Sequence, residues 1–141
     1  MVRIELEYQG DLHTASRHEP SGTGLETDAP VDNQGRGESF SPTDLLATSL
    51  GSCMLTVMGI LARRREWQLE GARASVEKHM VSEPARQVGR LVVELAMPAG
   101  LPPESRDPLE RAAHTCPVRL SLHPDIEVET RFDWRAEGEP G

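Results

Sequence analysis

The chain has 141 residues and a mass of 15.5 kDa, a length typical of one domain with a substantial core. Its formal net charge of -8 argues against nucleic acid or an anionic membrane surface as a partner. The first residues, MVRIELEYQGDL, are charged and lack an apolar core, so we predict no signal peptide. We therefore expect a cytoplasmic protein, in which both cysteines are kept as thiols rather than in a static disulfide.

Residues 2–28 are predicted to form short strands. The alternation of Ile4, Leu6 and Tyr8 with charged residues predicts a half-buried first strand, and a Gly-Asp turn leads into the second. Residues 25–27 could add a short third strand.

A polar, glycine-rich segment, residues 28–40, follows these strands. It contains Arg36 and Glu38 just upstream of the next predicted element. Most charges on such a segment are merely solvated, although loops on a rigid scaffold often carry function. The segment is therefore either a plain connector or a loop that contributes to a site.

Residues 42–66 are predicted to form a long helix. Ser41 is a plausible N-cap, Pro42 suits the first helical position, and Asp44 stands where a capping box needs an acidic residue. Apolar residues then recur at spacings of three and four, which places them on one helix face: Leu46, Leu50, Cys53, Val57 and Leu61. The pattern predicts that Cys53 lies on the buried face.

A membrane span is the alternative interpretation of this helix. Residues 45–62 carry no charge, and 18 residues reach the lower limit for crossing a bilayer. The stretch nevertheless contains two Thr, two Ser and two Gly, and its start has the capping chemistry of a soluble helix. We therefore expect no membrane association.

The remainder of the chain is predicted to contain a hairpin, a shorter helix and a last strand. Two alternating stretches within residues 72–97 indicate the hairpin, and residues 126–134 indicate the strand. A cap and proline predict a second helix over residues 107–122, which Pro117 either ends or restarts. In the second case Cys116 would cap a short helix whose backbone N–H groups favour a thiolate.

Grouped rather than alternating strands and helices predict an α+β fold with helices packed on antiparallel sheet. We expect one domain over residues 1–141, with no repeats.

Few chemical motifs are present. The sequence has no dinucleotide-binding glycine motif, no phosphate-binding loop and no CxxC pair. His114 and Cys116 lack a matching second pair, so we expect no metal site. Free cysteines are most often inert core residues, but two cysteines brought together could cycle between dithiol and disulfide.

The segments GESFSPTDLLATSLGSCMLTVM and HTCPVRLSL place two cysteines 63 positions apart. In these segments, and over residues 8–134 as a whole, the chain resembles the OsmC/Ohr family of osmotically induced and organic hydroperoxide resistance proteins. The resemblance implies an OsmC-like fold, in which antiparallel sheets wrap around two central helices. It also implies an intertwined homodimer with active sites at the subunit interface.

The same resemblance assigns roles to the cysteines. Cys53 matches the peroxidatic cysteine, and Cys116 matches the cysteine that resolves its sulfenic acid to a disulfide. The implied activity is a thiol-dependent peroxidase for organic hydroperoxides, and for hydrogen peroxide to a lesser extent, in oxidative and osmotic stress defence. It needs no bound cofactor but an external dithiol reductant, which could be a lipoylated protein, thioredoxin or a small thiol.

The family activates its thiolate with an arginine that a glutamate orients. We expect Arg36 in this role with Glu38 as its partner, and Arg17 is the alternative. Thr43 stands where the hydroperoxide resistance branch has the glutamate, and Asp44 is one residue later. That departure leaves open a non-catalytic protein that binds a ligand or senses redox state with the same fold.

Overall fold

The structure, a computed structural model, describes residues 1–134. Residues 135–141 of the predicted domain lie outside the described residues. Two compact units are present, Met1–Leu46 and the part of the chain that starts at Ala47.

The first unit contains a three-stranded antiparallel sheet. Strands β1 (Ile4–Tyr8), β2 (His13–His18) and β3 (Gly24–Asp28) are neighbours in that order. Gly10, Asp11 and Leu12 all have positive φ angles and form the tight turn between the first two strands.

The prediction that β1 is half-buried is wrong for the single chain. All five residues of β1 are exposed, with 54% of Ile4, 69% of Leu6 and 65% of Tyr8 accessible. The alternation does place these three side chains on one face of the strand. An alternating pattern, however, indicates only that a face is suited to being covered, and no residue within 1–134 covers this one.

The long helix α1 (Pro42–Arg65) begins with the predicted capping box. The Asp44 amide donates to Ser41 Oγ at 3.0 Å, and the Ser41 amide donates to Asp44 Oδ2 at 2.9 Å. These two bonds satisfy backbone donors that a helix start leaves without partners. The sequence signal for this helix is confirmed.

The buried stripe of α1 lies one position away from the predicted one. It consists of Leu50 together with small residues and methionines: Ala47, Gly51, Met54, Met58 and Ala62. A Cβ atom placed on Gly51 would lie 2.9 Å from Val76 Cγ2, so the helix approaches the second sheet closely at this point. Cys53 is consequently half-buried, and its predicted place on the fully buried face is corrected.

The second sheet is mixed rather than antiparallel. Strands β4 (Arg73–Val81) and β5 (Gln87–Ala96) form the predicted antiparallel hairpin, with an irregularity between His79 and Met80. Strand β6 (Glu127–Asp133) pairs with β5 in parallel, which corrects the expectation for this sheet. Residues 97–126 connect β5 to β6, and parallel neighbours require such a crossover of a dozen residues or more.

That crossover contains two helices where one was predicted over residues 107–122. Helix α2 (Arg106–His114) ends before Cys116, and helix α3 (Pro117–Ser121) starts after it. Cys116 has φ -66° and ψ 143°, an extended conformation that the following proline favours because the helical one would clash with its ring. Of the two alternatives at Pro117, the structure shows the restart.

The core of the second unit joins the buried stripe of α1 to the sheet and α2. Its fully buried large side chains come from all three: Leu50, Met54, Met58, Leu91, Val93, Leu95 and Leu109. Among residues 1–134, α1 is the one helix long and apolar enough to cross a membrane. A single such helix is weak evidence for a span, because core helices of soluble proteins share its length and composition.

Candidate active site

Helix α1 presents Cys53 near its middle, at the border of the buried stripe. Its neighbour Met54 is fully buried, whereas Ser52 is exposed. Because the helix turns by about 100° per residue, a position between these two keeps part of its surface accessible. The Cys53 sulfur thus sits on a rigid element without being enclosed in the core.

The break between α2 and α3 positions Cys116. This residue is the N-cap of α3, and its sulfur accepts a hydrogen bond from the Arg119 amide at 3.3 Å. Two residues earlier, the His114 ring meets Phe132 of β6 edge-on, with the ring centroids 5.9 Å apart. The Cys116 side chain is completely buried.

The structure brings the two cysteines together. Both are free thiols, and the Cys53 side chain lies near enough to Cys116 to affect the pKa of its thiol. Burial is the main cause that raises the pKa of Cys116, and the nearby Cys53 adds to it, while the Arg119 and Val118 amides act in the opposite direction. Cys116 is therefore favoured as a neutral thiol next to a more accessible one.

Arg36 and Glu38 lie in the first unit, in the loop of residues 29–40. Arg36 forms an ion pair with Asp11, with Nη2 3.0 Å from Oδ2. The expected partner was Glu38, but the structure pairs Arg36 with Asp11, which belongs to the turn between β1 and β2. No sequence signal indicates this pairing, since 25 positions separate the two residues.

The other acidic candidate, Asp44, serves the helix cap described above. Arg17, the alternative arginine, is exposed on β2 opposite Gly24 of β3. The choice between Arg17 and Arg36 stays a prediction.

A cluster that we did not predict lies on the first sheet. His13 Nδ1 is 2.6 Å from Asp28 Oδ1, and His13 Nε2 is 3.1 Å from Glu26 Oε1. Both carboxylates raise the pKa of His13, with the bond to Asp28 as the largest cause. His13 and Asp28 are directly opposite each other in the β2–β3 register, so working out that register would have found the pair.

A groove of about 660 Å³ follows the second half of α1. Ile60, Arg63 and Trp67 are among the residues that line it, and neither cysteine is. No group of three or more potential metal ligands is found within residues 1–134.

Comparisons with known proteins agree with this architecture. The family model described as OsmC-like protein matches residues 35–131. A proposed osmotic stress induced and detoxification response protein from Psychrobacter arcticus 273-4 is 45% identical, with a TM-score of 0.88. That alignment covers 94% of this chain and 96% of the other.

Two more distant structures share the fold. An organic hydroperoxide resistance protein OsmC from Legionella pneumophila has 17% identity and a TM-score of 0.74, over 94% of this chain and 96% of that one. A proposed organic hydroperoxide resistance protein from Vibrio cholerae, with captopril in one of its active sites, has 17% identity and a TM-score of 0.73. That match covers 94% of this chain and 90% of the other.

A comparison with the curated proteins finds no match. The family model spans more than half of the chain, and a relative with 45% identity covers nearly all of it. This chain therefore belongs to the OsmC-like protein family.

Proposed function

We propose that this protein is a thiol-dependent peroxidase that reduces organic hydroperoxides, and hydrogen peroxide to a lesser extent, in oxidative and osmotic stress defence. The observation that carries the proposal is the contact between Cys53 and Cys116, an accessible thiol beside a buried one. The family, and the hydroperoxide resistance proteins among its relatives, point to the same chemistry.

In the first step, the Cys53 thiolate attacks one peroxide oxygen. An S–O bond forms as the O–O bond breaks, so that the sulfur is oxidised to a sulfenic acid and the peroxide is reduced. The leaving alkoxide takes up a proton and departs as an alcohol. Partial exposure of Cys53 allows the substrate to reach its sulfur.

In the second step, the Cys116 sulfur attacks the Cys53 sulfenic acid. An S–S bond forms, the S–O bond breaks, and the hydroxyl leaves as water. An external dithiol (a lipoylated protein, thioredoxin or a small thiol) then reopens the disulfide by two exchanges and is itself oxidised. The cycle needs no bound cofactor.

An arginine would stabilise the Cys53 thiolate against the cost of partial burial. We assign this role to Arg36, with Arg17 as the alternative. Arg36 stands in a loop closed by its own hydrogen bonds and already pairs with a carboxylate, Asp11. We propose that Asp11 orients the guanidinium, in the place that Glu38 was expected to fill.

We further propose that the protein is a cytoplasmic homodimer. The apolar face of β1 is exposed in the single chain. Most of the apolar central part of α1 is likewise not buried within the chain. Apolar surface of this extent is typical of a face that another protein covers. Sedimentation velocity at micromolar concentration should give twice the monomer mass, and a monomer would contradict this part of the proposal.

The decisive experiment is intact mass and free-thiol count after one equivalent of cumene hydroperoxide is added to reduced protein. Wild type should lose both thiols to an intramolecular disulfide. Cys116→Ser should instead retain a sulfenic acid that dimedone traps. The matched Cys53→Ser should form neither the disulfide nor a sulfenic acid. Persistence of the peroxide and of both thiols in wild type would contradict the peroxidase.

A second candidate function is a non-catalytic protein that senses redox state or binds a ligand. Thr43 at the position of the family glutamate favours it, since Asp44 is used by the helix cap. It predicts that Cys53 reacts with peroxide no faster than a model thiol. Pseudo-first-order rates of thiol loss distinguish the two functions.

A further inference from the structure

His13 joins two carboxylates of the neighbouring strand. The Asp28 side chain is only 5% exposed, whereas Glu26 is 64% exposed. A buried carboxylate needs a counter-charge or hydrogen bonds to replace lost water. Protonated His13 provides both to Asp28, and it reaches Glu26 with its other nitrogen.

The same two residues hold the base of the loop that carries Arg36. The Asp28 amide donates to the Phe40 carbonyl at 3.1 Å, and Ser39 Oγ donates to the Glu26 carbonyl at 2.9 Å. The adjacent Ala29 amide donates to the Leu12 carbonyl, next to His13 itself, at 3.1 Å. The closing contacts of the loop thus converge on the residues whose side chains His13 holds.

Other charges face this cluster on the same side of the sheet. Glu7 of β1 lies opposite Ala15, which in turn lies opposite Glu26, and Arg17 is on the same face of β2. Arg36 and Asp11 form their ion pair at the adjacent turn. Carboxylates outnumber the fixed positive charges here, so a proton on His13 relieves repulsion as well as forming ion pairs.

We propose that His13 is a positioning residue, a proton-dependent clamp that holds the Arg36 loop closed through Asp28 and Glu26. The regulatory consequence rests on the proposed function. If Arg36 activates Cys53, protonation of His13 determines the fraction of molecules in which the Arg36 loop is closed.

The direction of the pH effect follows from the two carboxylates. They raise the pKa of His13 in the folded loop above its ordinary value of 6.5. The clamp is therefore fully engaged below about pH 6.5 and is lost as the pH rises through the raised value. Neutral His13 can still donate one hydrogen bond to Asp28, so the loop loosens rather than the sheet unfolding.

Amide hydrogen exchange of the loop tests the clamp without any substrate. The informative amides are Ala29 and Gly37, which donate within the loop and its base. In wild type, their protection, corrected for the intrinsic exchange rate, should fall several-fold between about pH 6 and pH 9. His13→Gln should remove this pH dependence, and the matched control His18→Gln on the same strand should keep it.

The proposal is overturned when His13→Gln shows the wild-type pH dependence or when wild-type protection is constant. Should His13→Gln fail to fold, Glu26→Gln replaces it. That variant removes one ion pair from His13 and should move the midpoint to lower pH, and an unchanged midpoint would refute the clamp.

The rate of Cys53 oxidation by cumene hydroperoxide provides the second arm. His13→Gln should slow it several-fold at about pH 6.5, with a smaller ratio to wild type near pH 9. A wild-type protein that does not react with the peroxide would refute the proposed function, whereas the hydrogen-exchange data would still test the clamp. Equal rates in a reactive wild type and His13→Gln at about pH 6.5 overturn the regulatory consequence.

Discussion

Gly51 and Gly59 offer a matched test of how closely α1 approaches the second sheet. Both glycines lie inside the same helix, so alanine at either position should gain about 1 kcal/mol of helix propensity. A Cβ at Gly51 would lie 2.9 Å from Val76 Cγ2 and 3.7 Å from Ala74 Cβ, whereas one at Gly59 meets nothing within 4 Å. Overpacking of this kind costs about 1–3 kcal/mol.

We therefore expect Gly59→Ala to stabilise the protein by about 1 kcal/mol, and Gly51→Ala to be about 1–3 kcal/mol less stable than Gly59→Ala. Urea denaturation at two protein concentrations measures the difference and separates it from any effect of association. Equal unfolding free energies for the two variants would refute the close approach.

The same pair of variants links packing to chemistry. Gly51 is two residues from Cys53, so a helix displaced from β4 should also move the Cys53 sulfur relative to Cys116. Gly51→Ala should then form the disulfide more slowly than Gly59→Ala after peroxide addition. Identical rates of disulfide formation would show that the contact between the cysteines tolerates this displacement.

Three further predictions concern the cysteines and the arginines. Cys116→Ser and Cys116→Ala should both leave the Cys53 sulfenic acid unresolved, but the alanine variant should be about 1 kcal/mol less stable in urea because the serine can still accept from the Arg119 amide. Because the pKa of Cys116 is raised in the folded protein, its thiol contributes stability that is complete below the ordinary thiol pKa and is lost at more alkaline pH. Since Cys116 is also buried and favoured as a neutral thiol, carboxamidomethylation of native protein should modify Cys53 first, and equal labelling rates would contradict this. Arg36→Lys should slow Cys53 oxidation by roughly tenfold or more and Arg17→Lys by less, and the reverse order would transfer the activating role to Arg17.

Local backbone structure could be predicted from the sequence wherever neighbouring residues determine it. The capping box at Ser41 and Asp44 depends on residues three apart, and it was predicted and confirmed. The extended conformation of Cys116 follows from the proline after it, and one of the two alternatives stated for this position is observed. Both features are set within a few residues of the chain.

The predictions were wrong where packing between distant parts of the chain determines the structure. The predicted stripe on α1 counted the larger apolar residues, but the buried stripe includes Ala47, Gly51 and Ala62, and the sheet approaches the helix closely at Gly51. The alternation of the last strand indicated a strand without indicating its neighbour, so its parallel pairing with β5 was missed. Direction in a sheet depends on the route of the connection rather than on the strand's own residues.

At the candidate site, likewise, the sequence indicated which residues matter but not which of them contact each other. The identities of Cys53 and Cys116 as candidates came from the sequence and the family resemblance, but their contact needed the fold. The partner of Arg36 could not be read from the sequence, because Asp11 is distant along the chain and was one of many exposed acidic residues. The family assignment itself was predicted and confirmed.

The contact between the cysteines has a consequence for the unfolded chain. The two residues are 63 positions apart, so a disulfide between them would close a long loop in every unfolded conformation. In the chain-entropy account, such a loop costs the unfolded state about 4 kcal/mol, although strain at the bond would reduce the benefit to the native state. Oxidised molecules would then resist thermal unfolding and proteolysis better than reduced ones. During peroxide exposure, the molecules that hold the disulfide and have not yet been reduced would therefore also be the best protected from degradation.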